Sequence, residues 1–179
     1  MNVSRLPLED LVVFEPELIS DERGWFTEMF REDLFVKYCG EYKFVQENQS
    51  WSVANVLRGL HYQVGKPQGK LIRVARGEIY DVVVDMRVNS NTFGEWCGIV
   101  LSQYNKLSLW IPPGFAHGFH VKYYDAIVSY KTTEYYSPEG DRTLLWNDPY
   151  LDIDWQLRTM PMVSEKDQRG KTFREAEKL

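Results

Sequence analysis

The chain has 179 residues, 44% of them hydrophobic, enough for one domain with a full core and short for two. Its formal net charge of −5, with Lys and Arg dispersed along the sequence, argues against a protein held to nucleic acid by a broad basic surface. No run approaches the roughly 18 apolar residues of a membrane span, and the opening MNVSRLPLEDLVVFEP carries acidic residues and Pro where a signal peptide is apolar. The expectation is a single cytoplasmic domain over residues 1–179, with no membrane or nucleic-acid partner.

In chain order, the first helical signal is Arg31 to Tyr38, where apolar residues have mixed spacing. Cys39 and Cys97 lie far apart outside any CxxC spacing, so they read as reduced packing residues rather than as a disulfide or a zinc cluster. β-rich runs follow at Val56 to Gln63, Lys70 to Arg87, Trp96 to Leu101, Lys106 to Ile111, Gly118 to Val121 and Ala126 to Thr133, separated by Gly, Pro, Asn or Ser. Within them, KLIRVARGEIYDVVVDMR alternates on both sides of Arg76-Gly77, which predicts a hairpin with a tight turn. Ser164 to Leu179 is charged and interrupted only by Gly170, a second helical signal. The even spacing of short strands favours an all-β sandwich or jelly roll with short terminal helices over a βαβ fold. The 15% aromatic content suits either a thick β core or a pocket that stacks flat ligands.

Alternation also tells which side chains share a face. In EIYDVVVDMR, Tyr80, Val82, Val84 and Met86 form one apolar face, and Ile79, Asp81, Val83 and Asp85 form the other. That places two carboxylates in one layer, compatible with a solvated strand face or with a pocket. In RGLHYQ, Gly59, His61 and Gln63 fall on one side, and Leu60 and Tyr62 on the other. If the polar sides of both strands line a barrel mouth, His61 and Asp81 face one cavity.

His61, His117 and His120 are the only histidines. A jelly roll containing PPGFAH suggests a cupin, and metal-binding cupins use a His-x-His pair, a Glu and a later His. Here Gln63 stands where the second His would be, and an amide is a poor ligand for the metals that imidazole suits. The expectation is no metal and no cofactor. A lone His near a β core usually has a hydrogen-bonded structural role, but Arg58 and Gln63 beside His61 form a polar cluster that a dry core would not tolerate.

The segments DERGWFTEMF, FVQENQS, LRGLHYQ, QGKLIRVARGEIYDVVVDMR, SNTFGEW, IPPGFAHGF, YKTTEYYSP, WNDP and SEKD resemble, in order and nearly end to end, the dTDP-4-dehydrorhamnose 3,5-epimerase family. The resemblance implies a cupin-type jelly roll, a homodimer with a shared active site, and a nucleotide-linked 4-keto-6-deoxy sugar as substrate. It implies His61 as the base, with Asp167 as the carboxylate that orients it. On residues alone, Ser164-x-x-Asp167 is read as a capping box at the start of the final helix, and the resemblance reverses that preference. The resemblance further implies Lys70 as the group that stabilises the enolate, Asp81 as its neighbour, and Tyr130 as the acid on the opposite face. Arg23, Glu28, Gln46, Asn48 and Arg58 match positions that hold the pyrophosphate and base, Phe26 and Tyr135 match aromatic positions packed on the nucleotide, and His117 matches a histidine near the sugar. His120 has no implied role beyond structure. Related readings are an epimerase of another nucleotide sugar, a non-catalytic sugar-binding cupin and a metal-dependent cupin enzyme.

Overall fold

The computed structural model describes residues 1–179. Its elements are β1 (Asn2–Arg5), β2 (Val12–Glu15), β3 (Leu18–Asp21), β4 (Gly24–Thr27), α1 (Glu32–Cys39), β5 (Gln46–Ser52), β6 (Val56–Gln63), β7 (Lys70–Arg76) and β8 (Glu78–Asp85). They continue with β9 (Trp96–Ser102), β10 (Ser108–Ile111), β11 (Phe115–Val121), β12 (Ala126–Thr132), β13 (Asp141–Thr143), β14 (Met162–Val163) and α2 (Glu165–Gln168). One sheet runs β1-β2-β10-β7-β12-β5, and a second runs β13-β6-β11-β8-β9 with β14 added parallel to β6. β3 and β4 form a separate ribbon. No helix is long and apolar enough to cross a membrane.

Strand spacing left an all-β sandwich and a jelly roll open, and the jelly roll implied by the resemblance is what forms. Its central core lies between the sheets, where Ile72, Val74, Leu109 and Val128 of the first meet Ile79, Val83, Leu101 and Phe119 of the second. Burying each such side chain contributes roughly 1.5–3 kcal/mol. The two faces of β8 divide as the alternation predicts. Tyr80, Val82, Val84 and Met86 point away from the central core, yet they are not solvated: Leu144, Leu151, Trp155 and Phe173 of the C-terminal segment cover them. On the other face the solvated alternative fails, since Asp81 and Asp85 are both 0% exposed. α1, with Glu32 and Asp33 favourably placed in its first turn, buries Phe35 against Phe14, Leu71 and Trp110 on the outside of the first sheet.

Two expectations need correction. β7 and β8 do not form a hairpin: β7 pairs with β10 and β12, and β8 with β11 and β9. The turn itself is real, with Gly77 at φ +79 and no room for a Cβ beside the Asp125 carbonyl, but it carries the chain from one sheet to the other. Local alternation reports extended chain and turn, not which strand supplies the ladder. The C-terminal helix is also short, ending at Gln168. A Cβ at Gly170 would lie 2.6 Å from the Leu144 backbone, so the chain docks there, bridges Lys171 to Leu144, and buries Phe173 and Ala176. Burying that apolar surface outweighs the local preference of a charged stretch for a solvated helix.

Candidate active site

A cavity of about 430 Å³ opens between the sheets. Its first wall is β6, whose pairing with β11 slips between His117↔His61 and Phe119↔Arg58, so that β6 has one residue more than β11 in this interval. Gly59 (φ +110) sits at the slip, where a Cβ would be 2.6 Å from the Gly118 Cα. Strict alternation would set Arg58 and His61 on opposite faces; the bulge lets both line the cavity. β5 adds Gln46, Asn48 and Ser50, β7 adds Lys70, β11 adds His117 and β12 adds Tyr130. Only four of the sixteen lining residues are hydrophobic, which suits a polar ligand.

His61 Nε2 lies 2.6 Å from Asp167 Oδ1. A carboxylate only accepts, so this contact assigns the proton to Nε2 and leaves the lone pair on Nδ1. Burial opposes ionisation of Asp167, but the bonds from His61, the Gly59 N–H and Ser164 together hold its carboxyl below the usual value. The two readings of Ser164-x-x-Asp167 prove compatible in part. Ser164 Oγ accepts from the Asp167 N–H at 3.1 Å and caps α2, while the Asp167 carboxylate turns to His61.

Lys70 is 8% exposed, and its Nζ donates to the His61 carbonyl at 3.3 Å. Burial pushes its ammonium down to about 8, against the pull of Asp81 and Asp141. The hydrogen-bond partner of Asp81 is His117 Nε2, at 2.8 Å, and the other carboxylate oxygen, Oδ1, has no partner. Asp81 therefore influences Lys70 by charge and binds His117 directly. Burial lowers the His117 pKa despite Asp81, keeping the ring neutral. Burial raises the Tyr130 phenol, opposed by the Arg58 charge and a bond to Asn48, so Tyr130 carries its proton at neutral pH.

The cavity thus brings together His61, Lys70, Tyr130, Arg58, Gln46, Asn48 and His117, with Asp167 and Asp81 directly behind the two imidazoles. Four expected binding residues do not line it. Arg23 on the β3–β4 turn binds Asp21 at 2.5 Å, Phe26 is 67% exposed on β4, Glu28 lies 3.9 Å from Arg31, and Tyr135 is 66% exposed. Sequence reasoning missed Lys166, Asp141, Tyr136, Gln68 and Ser50, all of which line the cavity. Lys166 pairs with Asp141, which also accepts from the Tyr136 hydroxyl at 3.1 Å. Lys166 and Tyr136 each adjoin a residue already singled out, and that adjacency was the available signal. His120, on the same strand as His117, bonds Asn55 Oδ1 at 3.2 Å and lies outside the cavity, in keeping with a structural role.

The groups present fit proton transfer better than metal chemistry. No group of three or more His, Cys, Asp or Glu is arranged to hold a metal. Gln63, at the position of the missing cupin ligand, spends its amide on backbone partners at Lys66, Tyr135 and Ser137. An imidazole held by a carboxylate, a buried ammonium and a protonated phenol around one polar space suit acid–base chemistry and define the class, a cupin-type isomerase. The family model for dTDP-4-dehydrorhamnose 3,5-epimerase matches residues 5–175. The chain belongs to this family of epimerases.

Several relatives match over nearly their whole lengths. The dTDP-4-dehydrorhamnose 3,5-epimerase of Pseudomonas aeruginosa is 49% identical over 99% of this chain and 98% of its own. That of Methanothermobacter thermautotrophicus is 51% identical over 94% and 92%. Among solved structures, the dTDP-6-deoxy-D-glucose-3,5-epimerase of Legionella pneumophila, in complex with dTDP-4-keto-L-rhamnose, superposes with a TM-score of 0.94 at 44% identity, covering 98% of this chain and 94% of that one.

Proposed function

We propose that residues 1–179 act as one cytoplasmic epimerase domain that inverts carbon 3, carbon 5 or both of a dTDP-4-keto-6-deoxyhexose, in rhamnose-type deoxysugar synthesis. The observation that carries this reading is the 2.6 Å His61–Asp167 pair facing the cavity that also holds Lys70 and Tyr130. His61 Nδ1 takes the proton beside the keto group, and Asp167 stabilises the imidazolium that results. The electron pair of the broken C–H bond moves onto the carbonyl oxygen, where the Lys70 ammonium meets the developing charge. Tyr130 then gives its proton to the carbon from the opposite face, inverting it. His117, held neutral against Asp81, is a hydrogen-bonding group for the sugar.

Arg58 is the phosphate-binding group. Its Nε and Nη2 are tied to Ser52 and the Trp51 carbonyl, which fixes the guanidinium at the cavity wall. Gln46 and Asn48, joined by a 2.9 Å hydrogen bond, complete the nucleotide side. Arg23, Phe26 and Glu28 serve a neighbouring subunit in a homodimer with shared sites. Support for this comes from the β3–β4 ribbon, which leaves Leu18, Ile19, Trp25 and Phe26 exposed away from its own cavity. The reaction needs no metal.

The test is NMR of the chelator-treated protein with dTDP-4-keto-6-deoxyglucose in heavy water. Deuterium incorporation and inversion at carbon 3 or carbon 5 support the reading. Absence of both, or activity restored only by a divalent metal, overturns it.

A further inference from the structure

Gln63 is 4% exposed, and each polar atom of its side chain has a backbone partner. Nε2 donates to the Lys66 carbonyl at 2.6 Å and to the Tyr135 carbonyl at 3.1 Å, while Oε1 accepts from the Ser137 N–H at 2.8 Å. Two other glutamines reach the same stretch. Gln68 Nε2 donates to the Glu134 carbonyl at 2.8 Å, and Gln46 Oε1 accepts from the Tyr136 N–H at 3.1 Å. Residues 134 to 137 belong to no helix or strand, so side-chain amides supply backbone partners that a ladder would otherwise provide. The stretch carries Tyr136, which lines the cavity and bonds Asp141.

We infer that Gln63 is a positioning residue for substrate binding: by fixing the segment from Glu134 to Ser137, it holds Tyr136 at the cavity mouth and so sets affinity for the nucleotide. Naming the ligand as a dTDP-sugar rests on the epimerase reading. An irregular segment costs conformational entropy to order, and a clamp that orders it beforehand spares the ligand that cost. Only an amide of this length offers two donor hydrogens and an acceptor together. Gln63 bonds none of the proton-transfer groups, so the chemical step should not depend on it.

The experiment compares wild type with Gln63→Met, which is similar in size but lacks all three bonds. Losing them should weaken dTDP binding in calorimetry about ten- to hundredfold, with KM rising in step and kcat staying within about twofold. Amide hydrogen exchange should accelerate at Tyr136 and Ser137 while β6 keeps its protection. Unchanged dTDP affinity, unchanged exchange at those amides, or a fall in kcat with KM intact would overturn the inference. Gln63→Glu gives an independent reading if the methionine variant does not fold. Its carboxylate faces two carbonyls without a donor, and protonation restores one, so its affinity deficit against wild type should narrow as pH falls. A deficit that stays constant with pH counts against the clamp. A wild type that binds dTDP but never epimerises would contradict the proposed reaction, while the dTDP comparison would still decide the role of Gln63.

Discussion

The two histidine–carboxylate pairs lie side by side on the β6–β11 ladder, where His117 is the direct partner of His61, yet their surroundings differ. His61 has a side chain 35% exposed, and its carboxylate comes from α2, 106 residues later in the chain. His117 is buried with an Asp81 that sees no solvent and sits beside Lys70. The imidazole–carboxylate contacts are of similar length, 2.6 and 2.8 Å, and access separates the pairs. The open pair can take a proton from a ligand and lose it to water, whereas charging the buried ring would require desolvating an imidazolium. On the proposed reaction, the first pair is the base, and the second shapes the charge around the keto oxygen.

Breaking the open pair should have the largest effect. Asp167→Asn removes the charge that stabilises the imidazolium, and kcat/KM should fall by about 10²–10⁴-fold in a steady-state assay. A near-normal rate would transfer the base role to the buried pair. The buried pair should show itself through pH. The Lys70 ammonium, pushed down to about 8, is present below that pH and lost above it, so wild-type kcat should decline as pH rises through about 8. Asp81 raises the Lys70 value, so Asp81→Asn should move this alkaline limb to lower pH; an unmoved limb would show that Asp81 does not govern Lys70. Arg58→Ala, outside both pairs, should weaken binding by roughly 1.5–3 kcal/mol and leave the limb in place. Unchanged affinity would place the phosphate elsewhere.

What could be read in the sequence was whatever depends on near neighbours. Alternation placed Asp81 with Ile79 and Val83, and strand spacing narrowed the fold to a sandwich or jelly roll. The hairpin expectation failed because Lys70 to Arg76 and Glu78 to Asp85 are each sandwiched by other strands, a choice made by the whole core. The shared side of Arg58 and His61 was hidden because a bulge, not alternation, creates it. No spacing rule could join Asp167 to His61; the family resemblance named that pair, and folding of the C-terminal segment over β6 makes it. Lys166 and Asp141 went unseen for the same reason, since their ion pair links α2 to β13. The resemblance named Arg23, Phe26 and Glu28 as nucleotide-binding residues, but one chain does not bring them to its own cavity.

The most direct test of the assignment is solvent deuterium exchange followed by NMR in two variants whose substrate affinity has been measured beforehand. With His61→Asn no enolate forms, so exchange and inversion should disappear together. With Tyr130→Phe the base remains, and deuterium should enter with retained configuration faster than carbon is inverted. Exchange at near the wild-type rate in His61→Asn would contradict the account.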